Sequence, residues 1–215
     1  MNIQLQSVVP VPLKDKFSNR TSGIWSRNIS FSTGEWIKIV APSGTGKTTL
    51  MNILYKLRHD YEGDVLWSDK NVKSVGGEQL ATMRQLQVSV IFQDLRLFEN
   101  LTARENIELK RVLQKPCYEA GRIDEMSETL GITHILQQRA GICSYGEQQR
   151  IAIIRALVQP FEWLIMDEPF SHLDHANKEK AANLIAEECK KRKAGFVLTD
   201  LDEDSLFPYT KSYSL

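Results

Sequence analysis

A glycine-rich segment with one lysine and several hydroxyl residues separates a predicted strand from a predicted helix. Residues 41–49 read Ala-Pro-Ser-Gly-Thr-Gly-Lys-Thr-Thr. Small residues let consecutive backbone N–H groups turn inward around a polyphosphate, and the positive end of the following helix stabilises its charge. The pattern predicts a P-loop in which Lys47 reaches the β and γ phosphates and the Thr48 hydroxyl binds Mg²⁺. The predicted nucleotide contacts are Ser43, Gly44, Thr45, Gly46, Lys47, Thr48 and Thr49.

Two adjacent acids follow a second apolar run. Residues 163–166 are apolar, and Asp167 and Glu168 come directly after them. Asp167 is placed to hold the water shell of a magnesium ion, and Glu168 is placed to polarise an attacking water. A strand that merely ends in two acids is the alternative, and the P-loop upstream makes it the weaker interpretation.

A serine followed three residues later by a glutamate marks the start of another helix. Ser144 and Glu147 form this capping box, and Ile151 and Ile154 recur behind it at helical spacing. The box predicts a helix that begins near Gly146. Its free N–H groups and the Ser144 hydroxyl offer a second anion-binding end, and an ordinary helix cap is the alternative.

Charge and composition narrow the classes of function. The 215 residues carry 27 Lys and Arg against 27 Asp and Glu, which argues against a chain that coats nucleic acid or anionic lipid. The three cysteines are spaced like no metal site, and they favour a reducing compartment. We find no secretory signal and no apolar run near the roughly 18–20 residues that cross a bilayer. We therefore expect any membrane contact to come through a partner.

Short apolar runs alternate with longer amphipathic ones, which predicts an α/β fold with a mostly parallel sheet. We predict strands at 3–9, 28–32, 36–40, 64–67, 88–92, 163–166, 196–199 and 209–214. Helices are expected at 48–57, 118–130, 146–158 and 177–192, and another after Thr102, which forms a capping box with Glu105. We treat 1–215 as one domain, with a core at about 1–78 and 146–215 and a small helical subdomain at about 79–145.

Three further segments complete a set of five motifs. They read Ile-Phe-Gln-Asp at 91–94, Cys-Ser-Tyr-Gly-Glu-Gln-Gln-Arg at 143–150 and Ser-His-Leu-Asp at 171–174. With the P-loop and the two acids, they resemble the Q-loop, signature motif and D-loop of the ATP-binding cassette ATPases, the motor subunits of ABC transporters. The five motifs occur in the family's order, and the resemblance covers nearly the whole chain.

The resemblance implies a RecA-like P-loop NTPase core with an N-terminal antiparallel β subdomain and the inserted helical subdomain. It implies that ATP is hydrolysed between two cassettes, where Ser144 and Gly146 of one face the γ-phosphate held by the other. A homodimer and a separate integral-membrane permease are the expected partners, and no nucleic acid is expected. The permease would hold the chain at the cytoplasmic face of the inner membrane. The implied catalytic residues are Glu168, Gln93 and Asp200, and the implied Mg²⁺ ligands are Thr48, Gln93 and Asp167.

Four positions depart from the family's pattern. Ala41 replaces the first glycine of the P-loop, Cys143 replaces a leucine, and Tyr145 replaces the first glycine of the signature motif. Asp200 stands where the family has its switch histidine. A carboxylate adds like charge beside a polyanion and cannot donate a hydrogen bond when ionised, so we expect slow hydrolysis. The alternative is that Asp200 points away from the phosphates and caps a turn.

The chain also has candidate residues for two contacts of the family, one with adenine and one with the membrane subunit. The family stacks adenine on an aromatic ring, for which Phe17 and Trp25 are the candidates. Large apolar side chains follow the Q-loop, where the family receives a short helix of the membrane subunit. They are Leu95, Leu97, Phe98 and Leu101. Burial in the core of the subdomain is the alternative for this group.

The segments 92–97 and 101–107 are similar to the compact ATPases of lipoprotein release, macrolide export and cell division. Two other functions stay open. One is an ABC ATPase without a membrane role, although those relatives carry a coiled-coil insertion or two cassettes in one chain. The other is a nucleotide-gated interaction module with slow catalysis, and the acid Glu168 favours the motor over this module.

Overall fold

Two sheets form the framework of the protein, seen in a computed structural model that describes residues 1–14, 22–114 and 116–215. The first sheet is antiparallel and has four strands. They are β1 (Ile3–Pro10), β2 (Asn28–Phe31), β4 (Tyr61–Trp67) and β5 (Lys70–Asn71), in the spatial order β2-β1-β4-β5. The predicted antiparallel sheet in the N-terminal part of the chain is confirmed.

The second sheet has five strands, and every pair in it is parallel. The strands are β3 (Trp36–Val40), β6 (Val88–Ile91), β7 (Trp163–Asp167), β8 (Gly195–Asp200) and β9 (Lys211–Ser214), in the order β6-β7-β8-β3-β9. A parallel sheet is covered on both faces, which is why β7 and β8 read as continuous apolar runs. The predicted α/β class is confirmed.

Six α-helices pack around these sheets. They are α1 (Lys47–Leu54), α2 (Gly77–Leu86), α3 (Ala103–Val112), α4 (Ala120–Thr129), α5 (Tyr145–Leu157) and α6 (His175–Arg192). Short 3-10 turns lie at Val11–Leu13, Val72–Ser74, Thr133–Ile135 and Ala140–Ile142. Across the described ranges, no helix combines the length and apolar character that a membrane span requires.

Each face of the parallel sheet has its own core. Trp36, Leu164 and Phe196 belong to the core that contains the apolar residues of α3 to α6. Ile37 and Val197, one residue further along their strands, belong to the core shared with α1 and the antiparallel sheet. Successive side chains of a strand point to opposite faces of the sheet. A residue at the carboxyl end of a strand therefore reaches only one of the two faces.

Both predicted capping boxes are confirmed. Thr102 accepts a hydrogen bond from the Glu105 backbone and Glu105 accepts one from Thr102, so α3 begins at Ala103. Ser144 and Glu147 form the same reciprocal pair at the start of α5. The first helix after β5 was not predicted, because Met83 is the only buried residue of α2 and a polar helix shows no apolar period.

A buried charge network ties the helices after the Q-loop to the core. The Glu188 carboxylate on α6 is fully buried and binds Arg122 of α4 at 2.6 Å and Arg192 at 3.0 Å. The Tyr118 hydroxyl donates to the same carboxylate.

The predicted helical range 79–145 also contains β6, which pairs with β7 in the parallel sheet. We propose that the helical subdomain begins after β6, and the division into subdomains stays a prediction.

Candidate functional site

The P-loop turns sharply before α1, and Gly46 makes the turn. Gly46 has a φ of 104°, and a Cβ atom there would lie 2.9 Å from Leu13 Cδ1 and 3.4 Å from the Trp25 ring. Glycine alone adopts this backbone readily and leaves that space free. Helix α1 begins at the next residue, so Lys47 and Thr48 stand on its first turn with the backbone N–H groups of the loop.

Lys47 is buried at the mouth of this turn, with 5% of its side chain exposed. Its ammonium donates to the backbone oxygens of Ala41 at 2.8 Å and Pro42 at 3.2 Å. Nζ also lies 3.2 Å from Oε1 of Glu168. The predicted phosphate-binding cation and the predicted catalytic carboxylate therefore meet at one point, although 121 residues separate them in sequence (168 − 47).

Three oxygen-bearing side chains predicted as Mg²⁺ ligands line one cavity of about 340 Å³. The Thr48 hydroxyl donates to the Gln93 side-chain oxygen at 3.2 Å, and Asp167 lies on the wall of the same cavity. A hydroxyl, an amide oxygen and a carboxylate are donors that suit a hard cation, which binds few protein groups and takes phosphate oxygens as further ligands. The residues present fit the predicted ion.

The two acids at the end of β7 are held by β8. The Thr199 hydroxyl donates to Asp167 Oδ1 at 2.7 Å, and the Glu168 N–H donates to the Thr199 carbonyl at 3.0 Å. Glu168 has a φ of 46°, in the left-handed region where a side chain costs about 1–3 kcal/mol. Thr199 was not predicted as a site residue. Its signal is a buried hydroxyl at the end of an apolar strand, which must find a partner.

The Asp200 carboxylate contacts a different set of groups from Asp167 and Glu168. Its Oδ2 accepts a hydrogen bond from Lys38 Nζ at 3.3 Å, and its Oδ1 accepts one from the Leu201 N–H at 2.8 Å. The second of these bonds is the turn cap that was weighed as the alternative to a phosphate contact. The catalytic role of Asp200 and the slow hydrolysis deduced from it stay predictions.

The signature segment keeps Ser144 and Gly146 at the first turn of α5. Hydrogen bonds from Ser144 hold the pKa of Glu147 below its usual range. A Cβ atom on Gly146 would lie 3.0 Å from the His172 carbonyl oxygen, so the D-loop passes against the helix here only because this position is a glycine. The Ser144 hydroxyl donates to the Glu147 carboxylate at 2.8 Å, and the role of Ser144 and Gly146 toward a second copy stays a prediction.

Tyr145 joins three of the predicted motifs. Its hydroxyl donates to the Gln93 backbone oxygen at 3.3 Å, and its ring meets the His172 ring edge-on at 4.1 Å between centroids. The large residue that replaces a glycine of the signature motif thus connects that motif to the Q-loop and the D-loop. Sequence comparison identified Tyr145 as a departure but gave no contact for it.

The other predicted residues are those of the P-loop and the two candidates for stacking on adenine. Thr45 Oγ1 donates to the Pro42 carbonyl at 2.7 Å, Thr49 accepts a hydrogen bond from Arg58 at 3.4 Å, and Ser43 is exposed in the loop with Gly44. The prediction that Trp25 stacks against adenine is wrong, because this side chain is 3% exposed and packs beside Gly46. Phe17, the other candidate, lies outside the described residues.

The described geometry agrees with sequence and structure comparisons. A profile of the ABC transporter family matches residues 26–171, which include the P-loop, Q-loop, signature segment and both acids. The chain belongs to the ABC transporter family. The predicted family and fold are confirmed, and so is the predicted function as an ATP-hydrolysing cassette of an ABC transporter.

Two similar proteins are named as ATP-binding proteins. An uncharacterised ABC transporter ATP-binding protein, YvcR of Bacillus subtilis strain 168, is 34% identical over 177 residues, or 81% of this chain and 68% of that protein. The aliphatic sulfonates import ATP-binding protein SsuB of Bacillus licheniformis is 32% identical over 190 residues, or 87% of this chain and 71% of that protein. Among solved structures, the dimeric bacterial ABC transporter cassette MJ0796 has a TM-score of 0.78 at 26% identity, covering 93% of this chain and 88% of that one.

Substitution of Gly46 by alanine tests the P-loop turn. The new Cβ would meet Leu13, and a φ of 104° is costly for alanine, so Gly46→Ala should lower the free energy of unfolding by about 1–3 kcal/mol. Chemical denaturation measures this change, and ATP binding should weaken because the loop no longer fits its helix.

Gly121→Ala is the matched control for that experiment. Gly121 lies in α4 with nothing within 4 Å of an added Cβ, so the same change should raise the free energy of unfolding by up to about 1 kcal/mol. Equal effects of the two substitutions would contradict the strain assigned to Gly46.

Proposed function

We propose that this cassette binds Mg²⁺-ATP at the P-loop and hydrolyses it with Glu168 as general base. The ion pair between Lys47 and Glu168 carries the proposal, because it places a phosphate-binding cation 3.2 Å from a carboxylate that can accept a proton. The backbone of Glu168 is fixed by Thr199, so its carboxylate is held at the edge of the loop before nucleotide arrives.

Thr48, Gln93 and Asp167 are the residues that would hold Mg²⁺. When bound, the ion would neutralise charge that develops on the phosphate oxygens. Asp167 is nearly fully buried and is oriented by the Thr199 hydroxyl, so its carboxylate is ready for a cation without a change of rotamer. The Thr48 hydroxyl donates to the Gln93 oxygen, and both can turn their oxygens to a cation.

A second copy of the chain would complete the site. We propose a homodimer in the ATP-bound state, in which the Ser144 end of α5 faces the γ-phosphate on the partner's P-loop. The positive end of a helix with a serine cap suits an anion, and α5 has 13 residues. The resemblance to a dimeric cassette structure supports this arrangement.

A groove beside the Q-loop is the proposed contact with a membrane permease. It has a volume of about 270 Å³, and its apolar lining includes Tyr55, Phe92, Phe98, Leu109 and Leu113. Phe98 is 59% exposed, whereas Leu95 is buried, so the predicted docking group divides between surface and core. The Asn106 side chain accepts a hydrogen bond from the Phe98 N–H at 2.8 Å and donates one to the Phe98 carbonyl at 2.9 Å, which fixes the backbone that carries the exposed ring.

Charge indicates what kind of segment fits the groove. Lys110 and Arg155 line it, and Arg155 donates to the backbone oxygens of Leu95 and Arg96. Burial and the neighbouring arginines lower the pKa of Lys110, and burial lowers the pKa of Arg155 to about 10. Neither cation has a carboxylate within salt-bridge distance in the described part of the chain. We propose that the permease inserts an apolar segment that carries an acidic side chain.

This arrangement would place the chain at the cytoplasmic face of a membrane through its partner. The segments 92–97 and 101–107 support the branch of lipoprotein release, macrolide export and cell division. One relative, the aliphatic sulfonates import ATP-binding protein, is named for uptake.

The change Glu168→Gln tests the catalytic assignment. The amide cannot accept a proton from water, so ATPase turnover should fall by about 100-fold or more while Mg²⁺-ATP still binds. ATP-bound dimers should then accumulate, which size-exclusion chromatography with ATP would measure. Glu128→Gln, at an exposed position of α4, is the control and should leave turnover unchanged. Equal turnover of native and Glu168→Gln protein would show that Glu168 is not the general base.

The change Phe98→Asp tests the docking groove. A carboxylate in place of the exposed ring removes the apolar anchor, so permease affinity should fall by about 2 kcal/mol or more while ATP affinity stays the same. Co-purification from membranes that contain the permease, followed by calorimetry with Mg²⁺-ATP, would measure both. Val11→Asp, at an exposed position beyond β1, is the control and should retain the permease. Retention by Phe98→Asp as well would exclude the groove as the contact.

A further inference from the structure

One lysine lies inside the parallel sheet, where only apolar side chains are expected. Lys38 is the middle residue of β3 and is 2% exposed. An ammonium group without a partner is very costly at such a position, so its ion pairs decide whether the strand can form. Strand β3 continues directly into the P-loop, which begins three residues after Lys38.

The partners of Lys38 lie in one short segment after β8. Nζ is 3.3 Å from Asp200 Oδ2 and contacts the Asp204 carboxylate. Asp204 also accepts hydrogen bonds from the Tyr209 hydroxyl at 2.7 Å and the Leu206 N–H at 2.9 Å. Burial acts to raise the pKa of Asp204, but the hydrogen bonds from Lys38, Tyr209 and Leu206 hold it below its usual range. One ammonium thus serves two carboxylates.

Asp200 stands next to the site that would hold the phosphates. It pairs with Val40 in the sheet, and its carbonyl accepts a hydrogen bond from the N–H of Ala41, the first residue of the P-loop, at 3.1 Å. The residue before it, Thr199, contacts both Asp167 and Glu168. Strand alternation puts the Asp200 side chain on the face of Lys38, opposite that of Thr199.

We infer that Lys38 is a positioning residue of the ATP site, which neutralises Asp200 and holds its carboxylate away from the nucleotide phosphates. The inference rests on the proposed function. A carboxylate at the edge of a polyphosphate site weakens anion binding unless a cation compensates it or a contact holds it elsewhere. Lys38 does both for Asp200, and it fixes the segment 200–204 through Asp204. The family's switch position can therefore carry an acid in this chain without loss of ATP affinity.

Two double variants of identical composition test the inference. Lys38→Met with Asp200→Asn leaves Asp204 as the remaining acid, whereas Lys38→Met with Asp204→Asn leaves Asp200. Each removes one ammonium and one carboxylate, so net charge and the loss of ion pairs are matched. The variant that keeps Asp200 should bind Mg²⁺-ATP at least about tenfold more weakly than the variant that keeps Asp204, because only Asp200 adjoins the P-loop. Calorimetry measures the affinities, and thermal unfolding checks both folds.

Equal ATP affinities of the two folded double variants would overturn the inference, because a merely structural lysine would not distinguish the two acids. Lys38→Arg keeps the charge and should bind Mg²⁺-ATP within about threefold of the native chain. If the methionine variants do not fold, a folded Lys38→Arg variant with affinity lowered by about tenfold or more would overturn it instead. Failure of the native chain to bind Mg²⁺-ATP would refute the proposed function. The differences between the variants test the role of Lys38 alone.

Discussion

The Lys47 ammonium reaches the Glu168 carboxylate because the P-loop folds back over the carboxyl edge of the parallel sheet. That position depends on the left-handed backbone of Gly46, which starts α1 so that Lys47 lies under the loop carbonyls of Ala41 and Pro42. The cation is buried, so it requires negative charge or carbonyl oxygens at all times. Glu168 supplies this charge in the structure, and a bound phosphate would supply it during the reaction.

The carboxyl edge of the sheet collects the acids because β7 and β8 are adjacent and parallel. Asp167 ends β7 and Glu168 follows it, Asp200 ends β8, and Thr199 binds both Asp167 and Glu168 through its hydroxyl and carbonyl. Ligands of open α/β sheets bind at this edge for the same reason. Carboxylates at this edge of the sheet would repel a polyphosphate unless cations offset them. Lys47 offsets one of them, Lys38 offsets another, and Asp167 is suited to a cation.

Local signals in the sequence predicted most of the elements, whereas long-range contacts needed the structure. The caps at Thr102 and Ser144 and the apolar runs of the central strands act over a few residues, so their elements were predicted within a few positions. Helix α2 was missed because it buries one residue. Family motifs identified Lys47, Gln93 and Glu168, but the Asp200 carboxylate is paired with Lys38, which is 162 residues away in sequence (200 − 38). No local pattern specifies that pair.

Calorimetric titration of Mg²⁺-ATP into the native chain and into Lys47→Ala tests the central claim most directly. The account predicts saturable binding by the native chain and a loss of at least about tenfold in affinity when the ammonium is removed, because charge-assisted hydrogen bonds to the phosphates are lost. Thermal unfolding should show that both proteins are folded. A native chain that takes up no nucleotide, or a folded Lys47→Ala variant with unchanged affinity, would contradict the account.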